Sequence, residues 1–416
     1  LPALCRDESY DFAAIVLQDQ KFVYVDGLES EHAPVTGKTF DVLKLAPSWY
    51  VILAKAICFC IPLATLRRWL LPKPGHLGIL RHVTRFRTAK KTENEPRSDI
   101  HDVVFHEHDI IIMPDGYWIM MHIWDAVADA KKQGARVAVV VYDLICITHP
   151  QFFGPNASEC FTEYLKALNS FADMVVAISD TIKHQLKHKL RELADIQRQT
   201  QIPTCESFRL GVTLDSPHGT VREDTKKLFD LDDKPYLMVA TFEPRKNHSF
   251  VLDSFDSAWD AQADRRLLLV GAAGWMCDNL LERIRNHPRF GTHLFMINDA
   301  SDAEVQYCYE NCKAAIFPSF VEGFGLPIIE ALRNGKTMFA SDTPIHREVG
   351  QDKCRYLDLS NAASLNEAIN AWEGAACPTQ NVDQNSLTIT WNDSVKQLLR
   401  HVCELKITVD SIKRVA

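Results

Sequence analysis

Two glutamates, Glu322 and Glu330, bracket a Gly-Phe-Gly turn in the stretch Pro318-Ser-Phe-Val-Glu-Gly-Phe-Gly-Leu-Pro-Ile-Ile-Glu330. A short apolar run, Ala314 to Phe317, precedes the turn and reads as a strand, and a helical pattern follows it. A helix N-terminus after a glycine turn presents free backbone N–H groups, and its dipole favours an anion such as phosphate. Gly323 and Gly325 carry no Cβ and so let the backbone approach a ligand closely. The amides around Gly323, Phe324, Gly325 and Leu326 are therefore candidate phosphate-binding groups. Glu330, about one helical turn in, is placed to accept hydrogen bonds from sugar or ribose hydroxyls. The segment points to a phosphorylated, hydroxyl-rich ligand.

A second segment carries the complementary charge. Pro235-Tyr-Leu-Met-Val-Ala240 reads as a buried strand and runs into Thr241-Phe-Glu-Pro-Arg-Lys-Asn247, before a helix that starts at His248. Arg245 and Lys246 are adjacent cations at the carboxyl end of a strand, where open α/β sheets bind ligands. Arg grips phosphate bidentately and Lys adds a point charge. Asn247 is a residue type favoured as a helix N-cap.

The elements that must hold these residues alternate. Strands are expected at Asp109 to Met113, Arg136 to Tyr142 and Met174 to Ile178, then at Tyr236 to Ala240, Arg266 to Val270, His293 to Ile297, Ala314 to Phe317 and Thr337 to Ala340. Helices lie between them, among them Trp118 to Gln133, Glu159 to Phe171 and Ser179 to Leu193, and Trp391 to Leu405 is a last amphipathic helix. The Val-rich run at 136–142 has the unbroken apolar character of a strand in a buried parallel sheet. Tyr10 to Leu17 and Lys21 to Val25 read as a hairpin. The turn-rich Asp215-Ser-Pro-His-Gly219 places a boundary between domains at 1–215 and 216–390, with 391–416 as the terminal helix. In the first domain, Tyr142 and Asp143 follow the Val-rich strand, and Asp115-Gly116 follows the strand before it. All three positions face the same cleft as possible contacts for an acceptor or sugar. For Asp143 an N-cap or turn carboxylate is the competing reading, and for His149 a structural role.

Glu243-Pro-Arg-Lys-Asn247, Glu322-Gly-Phe-Gly-Leu-Pro-Ile-Ile-Glu330 and Ser341-Asp-Thr-Pro-Ile-His-Arg-Glu348, in this order, resemble the retaining glycosyltransferases of family four. The likeness runs from about Val137 to Lys406 and is weak before Asp109. Within that family the chain is similar to bacterial surface-polysaccharide mannosyltransferases. The resemblance implies a GT-B fold of class α/β, with two Rossmann-like domains facing a cleft. It also implies a nucleotide diphosphate sugar as substrate, a glycan or lipid-linked acceptor, retention of configuration, and a terminal helix that crosses back to the first domain. By resemblance Arg245, Lys246 and Glu322 are the catalytic residues. The first two neutralise the leaving diphosphate without a metal, Glu322 holds the transferred sugar, and Glu330 holds the ribose. Where many members have His-Asp-Leu, this chain has Tyr142-Asp143-Leu144, and a phenol does not shuttle protons near pH 7 as imidazole does. That departure keeps open a non-catalytic scaffold derived from a transferase; the other alternative is a different enzyme on the same fold, such as a nucleotide-sugar epimerase or a glycosyl phosphorylase.

Composition limits the rest. The chain has 416 residues, enough for two α/β domains, and a net charge of −8 gives a nucleic-acid partner no electrostatic support. Its 12 cysteines are scattered without a Cys-x-x-Cys pair and are expected as free thiols in a cytoplasmic protein. No cofactor and no metal is expected: Asp230-Leu-Asp232 reads as a solvated turn, and His101, His106 and His108 lack zinc-like spacing. Trp49 to Leu66 is the most apolar window, interrupted by Lys55 and Pro62 and followed by Arg67, Arg68 and Trp69. It reads either as a helix lying on a membrane surface or as a buried helix with a basic end. The expected location is cytoplasmic, with peripheral contact at the inner face of the membrane through Trp49 to Trp69. The start of the chain is expected to be an incomplete or divergent first domain.

Overall fold

The structure is a computed structural model that describes residues 15–18, 21–25, 100–107, 109–114, 118, 120–212, 219–230, 233–375 and 389–413. Asp115, Gly116 and the window from Trp49 to Trp69 lie outside the described residues, as does the basic stretch from Arg81 to Arg97.

Three short strands, β1 (Ile15–Gln18), β2 (Lys21–Val25) and β3 (Ile100–Asp102), pair antiparallel. The next four, β4 (Ile110–Met113), β5 (Arg136–Val141), β6 (Met174–Ala177) and β7 (Thr204–Ser207), form a parallel sheet in that order. Its helices are α1 (Ile123–Lys132), the single turn α2 (Ile145–Thr148), α3 (Ala157–Phe171) and α4 (Asp180–Gln197). After Arg136, every residue of β5 is buried, as the unbroken Val run requires for a strand covered on both faces. Helix α1 starts at Ile123 rather than at Trp118. A turn in which the Ile123 amide donates to the Met120 carbonyl precedes it, and Gly134, at φ +106°, closes its far end. Strand β7 (Thr-Cys-Glu-Ser) was not expected, because its sequence carries no apolar run.

The second half has a six-stranded parallel sheet of β8 (Tyr236–Val239), β9 (Leu267–Val270), β10 (Leu294–Ile297), β11 (Ala315–Phe317), β12 (Met338–Ser341) and β13 (Cys354–Leu357). Its order is β10-β9-β8-β11-β12-β13. In chain order this is the 3-2-1-4-5-6 arrangement of a dinucleotide-type sheet, and the direction of winding reverses between β8 and β11. The helices are α5 (Glu223–Lys227), α6 (His248–Asp260), α7 (Asp278–Arg285), α8 (Asp302–Asn311), α9 (Leu326–Arg333), α10 (Pro344–Gly350) and α11 (Ser364–Gly374), followed by α12 (Trp391–Lys413).

Helix α12 returns to the first half. Its Val395, Leu398, Leu399 and Val402 belong to one apolar cluster with Val140 of β5 and Val176 of β6. The Ser394 hydroxyl donates to the Arg209 carbonyl at 2.7 Å, and the Arg209 amide donates to Gln397 Oε1 at 3.1 Å. Among the described residues, no helix is long and apolar enough to cross a membrane.

Candidate functional site

The winding reversal between β8 and β11 opens a crevice at the carboxyl ends of the two strands, and both sequence motifs lie there. From β8 the chain passes Phe242 and Glu243 into a single 3-10 turn, Pro244–Lys246, which Asn247 ends at φ 62°. Asn247 thus serves by adopting a left-handed backbone, and its side chain makes no capping bond to α6. From β11 the chain runs through 318–325 into α9. Gly325 sits at φ +104°, which an L side chain would strain, and Pro327 falls in the first turn of α9, where no N–H is needed. The Phe320 amide donates to the Arg245 carbonyl at 2.9 Å, so the two loops are tied together through their backbones.

Their side chains form a compact charged cluster. Arg245 Nη1 donates to Glu322 Oε2 at 2.7 Å and Nη2 pairs with Glu243 Oε1 at 2.7 Å. Lys246 Nζ donates to the other oxygen, Glu322 Oε1, and sits 5.1 Å from the centre of the Phe317 ring. Glu243, Lys246 and Glu322 are all buried. Burial pulls the Glu322 carboxyl up, but Arg245 and Lys246 together outweigh it and hold the group at about 2. Burial, and then the Arg245 charge, lower Lys246 from the ordinary lysine range, against Glu322 and Glu243. Two cations and two carboxylates leave the cluster formally neutral, and the carboxylates fix the orientation of the cations.

Asp143 joins this group from the first half. Its Oδ1 accepts the Ile145 amide at 2.9 Å, the turn-carboxylate role, while Arg245, Glu322 and Lys246 all act on its charge. Burial raises its pKa, opposed by the Ile145 amide and by Arg245. Tyr142 behaves differently: its hydroxyl donates to the Pro114 carbonyl at 2.8 Å, at the end of β4, so its proton is spent on the first sheet. The Tyr142 backbone is what meets the second half. A Cβ on Gly323 would lie 2.5 Å from the Tyr142 carbonyl oxygen, so the halves touch there through a glycine. Gly323 is thus required by the contact between halves. Phe324 is buried beside it. Glu330 stands apart from the cluster and faces Tyr309 of α8; burial raises its carboxyl, with Tyr309 and Arg333 opposing.

Several residues without a role assigned from sequence also meet here. Ser179 Oγ donates to the Gly323 carbonyl at 3.1 Å while capping α4 through the Ile182 amide. Glu348 of α10 accepts the Asp180 and Thr181 amides, each at 2.8 Å, so a carboxylate of the second half sits on the N-terminus of α4. Buried His346 places Nδ1 3.0 Å from the Ser341 carbonyl and packs against Phe317, with ring centres 5.3 Å apart and planes tilted at 43°. The sequence signals for these contacts are membership of the Ser341–Glu348 stretch and, at Ser179, a serine of N-cap type opening an expected helix. Among the described residues, no group of three or more His, Cys, Asp or Glu is placed to hold a metal ion.

Two α/β halves, joined across a crevice and braced by a terminal helix, define the GT-B class of fold. A solved structure with the same architecture is the sucrose-phosphate synthase of Thermosynechococcus elongatus, at 18% identity and TM-score 0.53, over 72% of this chain and 74% of that one. Residues 221–384 match the family described as "Glycosyl transferases group 1", and the chain carries a domain of that family. Among curated proteins, a "Serotype-specific mannosyltransferase WbdA" of Escherichia coli is 28% identical over 311 residues, covering 72% of this chain and 38% of that protein. An "O-antigen chain mannosyltransferase B" of Escherichia coli is 32% identical over 134 residues, 32% of this chain and 35% of that protein. The matched region therefore spans well under half the length of each of these relatives.

Proposed function

We propose that the chain is a retaining glycosyltransferase that moves a hexosyl unit, mannose in the reading closest to its relatives, from a nucleotide diphosphate sugar to a hydroxyl of a glycan or lipid-linked acceptor in surface-polysaccharide synthesis. The observation that carries this is the Arg245–Lys246–Glu322 cluster at the winding reversal of the second sheet. The diphosphate would lie against Arg245, Lys246 and the start of α9, with charge stabilised where it develops. Glu322 would accept a hydroxyl of the transferred sugar, and Glu330, nearer α8, those of the ribose. The bond from the anomeric carbon to the β-phosphate oxygen breaks, a new bond forms to the acceptor oxygen on the same face, and the acceptor proton passes to the leaving diphosphate. Asp143 faces the cluster from the acceptor half. Asp115 is proposed as a further contact there, and Tyr142 contributes its backbone. The scaffold and epimerase alternatives are not favoured by the relatives.

Titration of the protein with a panel of nucleotide diphosphate sugars, read by thermal shift, tests the assignment. Stabilisation by one donor, lost in Arg245→Ala and in Glu330→Ala, is expected. A folded protein that responds to no donor would refute it. A peripheral membrane contact through Trp49 to Trp69 belongs to the same proposal. Co-sedimentation with anionic vesicles, abolished on replacing Trp49 and Trp69 by serine, is the expected result, and unchanged sedimentation would sink it.

A further inference from the structure

A row of aromatic rings lies beside the charged cluster, and the chemistry so far leaves it unused. Phe152 stands between two rings: His149 lies 6.0 Å away at 7° and Phe320 lies 5.7 Å away at 23°. His149 and Phe152 belong to the first half, in the segment after β5, and Phe320 belongs to the loop after β11. Trp275 fixes this segment from the second half. Its indole N–H donates to the Phe152 carbonyl at 2.7 Å, and its ring lies 6.0 Å from that of Phe153. The row is therefore held on both sides of the crevice.

Phe320 is 42% exposed although it sits two residues from Glu322, which is 7% exposed. Its amide is committed to the Arg245 carbonyl, so the position of the ring is set by the same loop that carries the charged cluster. A large aromatic ring held rigidly, backed by two more rings and left partly open at the edge of a charged site suits a ligand with one apolar face and a polar rim. A pyranose has that form: one face of the ring is lined by C–H bonds of partial positive charge, which match the negative face of an arene, and the hydroxyls project around the edge. The diphosphate and the transferred sugar are assigned to Arg245, Lys246, Glu322 and α9. The ring that falls to Phe320 is then the second sugar of the reaction.

We propose that Phe320, backed by Phe152 and His149, is the platform on which a pyranose ring of the acceptor stacks, so that the acceptor is a sugar at the position of attack and both halves build its subsite. This rests on the transferase reading, and the test separates the two. The probe is methyl α-D-mannopyranoside, followed by saturation-transfer NMR on the full chain, with nucleotide binding measured in parallel by calorimetry on the same samples. The variants are Phe320→Ala and Phe320→Tyr.

Saturation transfer to the C–H protons of the glycoside is expected in the wild type. Phe320→Ala should weaken its binding roughly tenfold, and Phe320→Tyr should retain it. Nucleotide affinity should be unchanged in both, and the melting temperature should fall by no more than a few degrees, the loss expected for one ring pair. If Phe320→Ala weakens nucleotide and glycoside together, or lowers the melting temperature by more than a few degrees, the stack is a clasp between the halves and the proposal is overturned. A wild type that binds nucleotide but not glycoside overturns it as well. If no nucleotide binds while the glycoside binds in a Phe320-dependent way, the platform stands and the donor assignment fails.

Discussion

Replacing Glu322 by glutamine keeps the shape of the side chain and removes its charge. Each carboxylate oxygen faces a cation, Arg245 Nη1 at 2.7 Å on one side and Lys246 Nζ on the other, and the residue is 7% exposed. Burial opposes ionisation, yet Arg245 and Lys246 hold the group at about 2, against an ordinary 4.5. At about 1.4 kcal/mol for each tenfold change in protonation, the gap corresponds to about 3 kcal/mol. Because the folded-state value is depressed, this contribution is complete above the ordinary carboxylate range. It fades as pH falls below about 4.5 and is lost as pH passes through about 2. At pH 7, Glu322→Gln should therefore destabilise the protein by about 3 kcal/mol, near the low end of what breaking a buried ion pair costs. For a half of this size the melting temperature should fall by about 6–12 °C. Urea unfolding of wild type and variant from pH 7 down to pH 3 measures the difference, and subtracting the two curves removes the other carboxylates. The deficit should shrink on acidification. Adding Lys246→Met should recover part of it at pH 7, because one of the two cations left unpaired is then gone. A Glu322→Gln variant within about 0.5 kcal/mol of wild type at pH 7, or a deficit that does not change with pH, would refute the account of the cluster.

Three further substitutions probe how the halves meet. Gly323→Ala places a methyl 2.5 Å from the Tyr142 carbonyl oxygen and 3.2 Å from Asp143 Cβ, so the halves must part; transfer should be lost and the radius of gyration by small-angle scattering should rise, and an unchanged radius would argue against the contact. Glu348→Ala uncovers the Asp180 and Thr181 amides at a cost of about 1–2 kcal/mol, seen as faster hydrogen exchange at the start of α4. Tyr142→Phe should lower stability by about 1 kcal/mol through the lost bond to Pro114 and leave the KM for the donor as it was; a large rise in that KM would return the phenol to the sugar site.

The parts of this protein legible in its sequence are those with strong local periodicity. The Val run of β5 and the strands β8, β9 and β11 announce themselves because burial on both faces demands unbroken apolar residues. Strands β7 (Thr-Cys-Glu-Ser) and β13 (Cys-Arg-Tyr-Leu), at sheet edges, mix polar and apolar residues with no clear period, as turns also do, and only pairing with a neighbour makes them strands. At the site, Arg245, Lys246 and Glu322 were recognisable as types suited to a phosphate and a sugar, and the fold brings them together at 77 and 76 residues' separation. The meaning of Gly323 could not be read locally. A glycine after a strand suggests a ligand, whereas the atom that forbids a side chain there is a backbone oxygen of the other half, 181 residues earlier in the chain. Tyr142 shows the same limit from the other side. Its replacement of an expected histidine reads as a change of chemistry, but the hydroxyl turns to Pro114 and the residue meets the site through its carbonyl. A backbone contact tolerates any side chain with room to turn away, so the identity of residue 142 constrains the reaction less than its position does, whereas position 323 admits nothing larger than hydrogen.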